Sequence, residues 1–276
     1  MKITNKHNLP PAVYNKIAKV REPHQNRFHV TDLCNAPLMR YLREKHWNEL
    51  TEDASDRMWA LLGSAVHYIL EGTAPEDSFA EETLEAKIGD ATIVGTPDLW
   101  HNGVISDYKT TSVFSFLLGD KPEWSLQLNI YAWLYRKNGF DTNKLQIHAI
   151  LRDWMKSKSF QQPDYPLIPF QTVTVPIIQI ENHIVDWIAS YYRDPMQECT
   201  PGQKWSRPTT HAVMEKGKKR AKRVLETNED ALQWIENKGN DKMYVETRKG
   251  SNIRCDSYCN VSEFCPFNNT QKIEGE

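Results

Sequence analysis

Three short runs in the middle of the chain, EETLEAKI (81–88), ATIVGTPDLW (91–100) and GVISDYK (103–109), are separated by the turn sequences GD and HNG. Connections that short leave no room for a crossover. Gly, Asn and Asp tolerate the positive φ of tight turns, so the runs read as an antiparallel meander. That arrangement sets Asp98 and Asp107 on neighbouring strands. The segment PEWSLQLNIYAWLYRK (122–137) is apolar and aromatic all round, as expected of a helix lying against a sheet, with Pro122 near its start.

The remaining runs extend the same pattern. KLQIHAILRDW (144–154) and PLIPFQTVTV (166–175) have strand character, with a polar loop between them. Helices are expected over 31–47, with Thr31 and Asp32 as candidate caps, over 55–71 and over 176–193. This order predicts an α/β fold whose central mixed β-sheet is flanked by helices. Residues 1–30 read as an N-terminal arm and 31–194 as the core. Residues 195–276 read as a helical extension, with a basic helix over 211–225, a second helix over 228–238 and a cysteine-rich tail.

A chain of 276 residues with 39% hydrophobic content can bury a sizeable core. The longest apolar runs fall well short of the ~20 residues needed to span a bilayer, and the first residues lack the apolar centre of a secretory signal. A soluble, cytoplasmic protein with no membrane partner is expected. A formal charge of -2 gives no global attraction to nucleic acid, so any such contact has to be local. Residues 201–223 provide a patch, with eight Lys/Arg against one Glu, whereas 71–90 carry seven Asp/Glu against one Lys. The five cysteines are Cys34, Cys199, Cys255, Cys259 and Cys265. An odd count without an export signal argues against a disulfide framework, and three cysteines within CDSYCNVSEFC (255–265) suggest a metal or iron–sulfur centre.

Taken singly, the polar residues of the central region have ordinary explanations. His67 fits a helix boundary, Asp98 a turn, and Gln127 with Tyr131 a pair four apart on a helix. Asp107 and Lys109 share one strand face about 6.6 Å apart, as an ion pair would, while Tyr108 points the other way and is expected to enter the core.

In sequence order, however, GSAVH (63–67), GTPD (95–98), SDYKT (106–110) and QLNIY (127–131) resemble the motif series of the RecB-like branch of the PD-(D/E)XK nucleases. The resemblance spans about residues 31–190. It implies a restriction-endonuclease-like core and a phosphodiester hydrolase, an exonuclease on single-stranded or end-containing DNA. An endonuclease of the same superfamily and a catalytically silent DNA-end-binding subunit are the alternatives.

Implied metal ligands are His67, Asp98, Asp107 and the main-chain carbonyl of Tyr108. Implied catalytic residues are Asp98, Asp107, Lys109, Gln127 and Tyr131, the last two also facing DNA. Two carboxylates on adjacent strands repel unless a cation lies between them, and oxygen donors select Mg²⁺ or Mn²⁺. Lys109 would orient the water or stabilise the developing charge.

The tail resembles that of iron–sulfur RecB-like nucleases, the CRISPR-associated and AddB types among them, in which three C-terminal cysteines and one distant cysteine hold a 4Fe–4S cluster. Here the first gap is three residues where those relatives usually have two, which keeps Zn²⁺ open. The fourth ligand is Cys199 or Cys34, with Cys199 preferred because its surroundings resemble phage-encoded nucleases. In KGKKRAKR (216–223), Lys218, Lys219 and Arg220 are the expected contacts to backbone phosphates. Trp124 and Trp205 are candidate base-stacking residues for which core packing is the simpler reading. Partner proteins of recombination or replication complete the implied setting.

Overall fold

In the computed structural model, which describes residues 1–119 and 121–268, the chain forms two units, Met1–Gln197 and Glu198–Glu276. The first begins with β1 (Lys2–Thr4), α1 (Pro11–Ile17), β2 (Arg27–His29), α2 (Val30–Leu33), α3 (Pro37–Lys45), β3 (Thr51–Asp53) and α4 (Met58–Glu71). The strands β4 (Ser78–Ala80), β5 (Leu84–Ile88), β6 (Ala91–Gly95), β7 (Leu99–His101) and β8 (Val104–Thr111) follow. The unit closes with α5 (Val113–Leu117), α6 (Pro122–Lys137), β9 (Lys144–Leu151), α7 (Lys156–Ser159), β10 (Phe170–Val175) and α8 (Glu181–Arg193).

The central sheet has the order β10-β9-β8-β7-β4. β8 and β9 run parallel and the other pairs antiparallel, so the sheet is mixed. Helix α6 crosses this layer and buries every side chain from Leu128 to Tyr135, which explains why its sequence is apolar on all sides. Residues 1–30 are woven into the unit, since β2 pairs with β6 and β1 with β3.

Both turn signals form, with Gly89, Asn102 and Gly103 at positive φ. The three runs nevertheless do not make one meander. The middle run breaks at Thr96-Pro97-Asp98, so that β5 and β6 join β2 in a separate three-stranded sheet while β7 and β8 enter the central one. Pro97 cannot donate to a ladder, and a Cβ on Gly95 would lie within 2.6–2.8 Å of Leu134, Tyr131 and Val30. Only a glycine lets the strand end this close to α6.

Other boundaries moved for equally local reasons. The helix expected over 31–47 splits before Pro37, because a residue preceding proline avoids the helical region and Ala36 is extended. The helix expected from 176 starts at Glu181. Buried Asn129 holds residues 176–178 extended, donating to Pro176 O at 3.0 Å and accepting from Ile178 N at 2.8 Å.

The second unit is not mainly helical. It contains α9 (Pro201–Lys204), β11 (Ser206–Arg207), β12 (Thr210–Glu215), β13 (Arg223–Leu225), α10 (Asn228–Lys238), β14 (Met243–Arg248), β15 (Ser251–Asn252) and α11 (Ile253–Ser257). The expected basic helix over 211–225 is a β-hairpin in a sheet ordered β13-β12-β14. Ala212, Val213 and Met214 are buried in β12 and Gly217 turns the chain at φ 82°, a conformation closed to helix. The good helix propensity of Lys, Arg and Ala loses here to burial and turn chemistry. Among the described residues, no helix is long and apolar enough to cross a membrane.

Candidate active site

Asp98 lies in the break just ahead of β7 rather than on a strand. The pairing of Leu99 with Ser106, carried one step further, sets Asp98 against Asp107 of β8. Asp98 Oδ2 accepts the Tyr108 N–H at 2.6 Å, and its Oδ1 lies 3.3 Å from His67 Nδ1. His67, on α4, contacts the Tyr108 carbonyl oxygen through Nε2 at 2.9 Å. The helix, the break and β8 therefore meet at one imidazole.

A residue that motif reasoning missed joins them. Glu81 Oε1 stands 3.5 Å from His67 Nδ1, and the ligand atoms of His67, Glu81 and Asp98 all lie within 4.8 Å of one another. Glu81 adopts φ 52° and donates its N–H to Asp98 O. A left-handed conformation is unfavourable for a side-chain-bearing residue, and such strain concentrates at functional sites. One acid among seven in an acidic stretch carries no local signal for this role.

Burial, and after it the charge of Asp107, pushes the Asp98 carboxyl up to about 7. Burial likewise raises Glu81 above the usual carboxylate range, against the pull of His67. The expected repulsion between Asp98 and Asp107 is present, but desolvation is the larger cause. A cavity of about 220 Å³ opens beside the group, lined by His67, Leu70, Pro75, Ala80, Asp98 and Tyr108.

Asp107 is 1% exposed. Its Oδ2 is 2.7 Å from Lys109 Nζ but receives no well-directed hydrogen bond. Lys109 Nζ also donates to Gln127 Oε1 at 3.0 Å, and Gln127 Nε2 donates to Tyr131 OH at 3.2 Å. This chain Asp107–Lys109–Gln127–Tyr131 fixes the ammonium from two sides. Tyr131, expected to face DNA, is 5% exposed and packed in the core, so it supports Gln127 and offers no surface to a strand. Tyr108 does not enter the core either. Its half-buried ring stacks on His148 at 5.4 Å, and His148 stacks in turn on Phe170.

The donor set fits a hard divalent cation. Glu81, Asp98 and the Tyr108 carbonyl surround one imidazole with oxygen donors, the composition that suits Mg²⁺ or Mn²⁺. Asp107 lies beside this trio, engaged by Lys109.

The cysteines fall in two places. Burial pushes the Cys199 thiol up to about 11, and Cys265, Cys259 and Cys255, all of the second unit, add to the effect, but among the described residues no three cysteine sulfurs lie within 4.8 Å of one another. Cys34 packs against the core of the first unit, where burial pushes its thiol up to about 12 and the charges of Lys109, Glu123, Asp107 and Asp32 also act on it. Lys218, Lys219 and Arg220 stand exposed at the tip of the β12–β13 hairpin. Trp124 packs against the core, whereas Trp205 is exposed, with Arg254 over its ring and Tyr258 beside it.

Among solved structures, the chain is similar to the protein SSO0001, with 20% identity over 65% of this chain and 80% of that one and a TM-score of 0.45. It is also similar to the alkaline exonuclease LHK-Exo of Laribacter hongkongensis, with 10% identity, coverage of 67% and 94%, and a TM-score of 0.39. A phage-related exonuclease from Haemophilus somnus 129PT matches at 16% identity over 49% of this chain and 64% of that one, with a TM-score of 0.27. No curated protein matches the sequence. The PD-(D/E)XK nuclease superfamily model matches residues 22–266, which span the mixed sheet, the strand-borne Asp107 and Lys109 and the extension alike, and the chain therefore belongs to the PD-(D/E)XK nuclease superfamily.

Proposed function

We propose that the protein is a Mg²⁺- or Mn²⁺-dependent deoxyribonuclease, an exonuclease acting on single-stranded or end-containing DNA. The observation that carries this reading is Lys109, ion-paired with Asp107 and hydrogen-bonded to Gln127 beside the oxygen-rich group of His67, Glu81, Asp98 and the Tyr108 carbonyl. A divalent cation held there would polarise the phosphodiester and acidify an attacking water.

The chain's own groups do the rest. Lys109 Nζ, with one N–H not directed at Asp107 or Gln127, orients the attacking water or meets the phosphoryl oxygen as negative charge develops. Asp107 and Gln127 keep the ammonium in place, which spares reorganisation during reaction. Tyr131 holds the Gln127 amide in its orientation.

Linear and covalently closed circular DNA, each end-labelled or internally labelled as its form allows and incubated with Mn²⁺ or Mg²⁺, tests the reading. Progressive loss of linear DNA with circles intact is expected. Cut circles would replace the exonuclease by an endonuclease, and no cleavage of either would leave a DNA-end-binding protein.

For the tail, the proposal is a 4Fe–4S cluster on Cys199, Cys255, Cys259 and Cys265, supported by the clustering of three of them within eleven residues and by the effect that all three have on the Cys199 thiol. Four soft thiolates suit iron–sulfur or Zn²⁺ and hold no hard cation. Anaerobically purified protein should be brown, and Cys199→Ser should lose the colour while Cys34→Ser keeps it. A colourless wild type with bound zinc would identify the other centre, and colour lost only in Cys34→Ser would reassign the fourth ligand. Lys218, Lys219 and Arg220 would then add salt-dependent backbone contacts.

A further inference from the structure

Ten of the fourteen residues of α4 are apolar or aromatic, yet none of them is buried. Trp59, near its start, is 65% exposed. The Arg152 guanidinium lies 4.2 Å from the centre of its ring. Arg152 is itself exposed, and its backbone N–H bonds to Thr111 O, which places it where β8 and β9 end together. No acidic side chain pairs with it among the described residues.

Trp59, Gly63 and His67 follow one another at i, i+4 and i+8, a single ridge of the helix that leads to the candidate active site. A Cβ added to Gly63 would meet nothing within 4 Å. Glycine inside a helix weakens it relative to alanine, and no packing within the protein requires one here. The low point of the ridge therefore serves something that passes over it. On the adjoining face of α4, exposed Lys16 and Lys19 border a cavity of about 120 Å³ with Arg57 and Ser64.

We propose that Trp59, braced by Arg152, is a stacking platform for an unpaired base of a strand that crosses Gly63 into the site at His67. Aromatic side chains bind the π-face of any base, a neighbouring guanidinium adds a cation–π contribution, and lysines alongside take the phosphates. Eight helical residues separate Trp59 from His67, about 12 Å of axis. At about 3.4 Å per stacked nucleotide, that is a span of three or four nucleotides. A base inside a duplex already has both faces covered, so the platform selects a single strand or an overhang over a blunt end. This inference rests on the nuclease reading for the identity of the site, but its binding test does not depend on cleavage.

The test measures binding of fluorescein-labelled single-stranded and blunt duplex DNA by anisotropy, in EDTA, to wild type, Trp59→Ala, Trp59→Phe and Gly63→Leu. Trp59→Ala should weaken single-strand binding about tenfold, the loss of one base–aromatic stack, and Trp59→Phe should restore most of it. Gly63→Leu should also weaken single-strand binding, although its Cβ meets no atom of the described residues within 4 Å. Blunt duplex binding should change less than about twofold in every case, since it uses phosphate contacts alone.

A single abasic site walked along the strand should weaken wild type at one position and cost Trp59→Ala nothing further there. Equal losses on single strand and duplex, or identical abasic profiles in wild type and Trp59→Ala, would overturn the platform. The abasic comparison reads coupling within each folded protein and so stays valid if a variant is less stable. Wild type that binds as described yet cleaves nothing would overturn the nuclease reading and leave the platform standing.

Discussion

Lys109→Ala is expected to lower the cleavage rate by about two to three orders of magnitude, the usual effect of removing one preorganised donor from a developing oxyanion. The physical reason is positional. Lys109 Nζ touches Asp107 and Gln127 at 2.7 and 3.0 Å, so it is aimed before substrate arrives. DNA affinity should change little, because one partly buried ammonium contributes a small share of phosphate contacts.

Lys109→Arg should fail almost as badly. A planar guanidinium cannot occupy the space of a compact ammonium between a carboxylate and an amide oxygen. The alanine variant also leaves the buried Asp107 carboxylate without its cation, so its melting temperature should fall. Single-turnover cleavage and thermal melting separate the two effects. Cleavage by Lys109→Ala within tenfold of wild type would remove Lys109 from the chemistry.

The second large effect concerns Asp98, whose carboxyl is held at about 7 rather than near 3.8. The raised value means that the folded protein retains a proton which the unfolded chain has already released. Stability is therefore undiminished by this group below about pH 4, declines as pH rises toward 7, and carries the full penalty above it, on the order of 4 kcal/mol. Without divalent cation, wild type should melt lower at pH 8 than at pH 5. Asp98→Asn, which keeps an oxygen to accept the Tyr108 N–H, should melt on the order of 10 °C higher than wild type at pH 8.

Mn²⁺ or Mg²⁺ should raise the wild-type melting temperature at pH 8 and leave Asp98→Asn nearly unmoved, because the cation neutralises the buried carboxylate that is already ionised at that pH. Cleavage by the variant should be lost. A metal-free Asp98→Asn protein less stable than wild type at pH 8 would contradict the assignment. The comparison exposes a trade common at active sites: a buried carboxylate that weakens the fold holds the charge that binds the ion.

Much of the site was legible because it is written in short motifs on elements of strong local character. His67 on α4, Asp107 and Lys109 on β8, and Gln127 and Tyr131 on α6 all stand on the element types expected for them. Helix α6 and strand β9 announce themselves through their apolar patterns, and α10 occupies the span expected for it. The failures share one cause. Where a segment's fate is settled by a distant partner, local pattern misleads. Residues 210–225 are basic and helix-prone, but their first part, Thr210–Glu215, pairs with Met243–Arg248, and residues 176–178 are held by Asn129 from another element. The middle strand of the meander was broken by Pro97 and by how closely Gly95 approaches α6.

By itself, then, the sequence determined the order and chemistry of the site residues, since a carboxylate, an ammonium and an amide at given spacings keep their character in any fold. Only tertiary structure decided which of them meet. It brought Glu81 to His67 from the motif-free bend between β4 and β5, withdrew Tyr131 and the Tyr108 ring from their expected places, and brought Cys199 under the influence of Cys255, Cys259 and Cys265 while leaving Cys34 in the other unit. It also laid Arg152 over Trp59. These are contacts between residues far apart in the chain, and their formation depends on the packing of whole elements, which no short window of sequence contains.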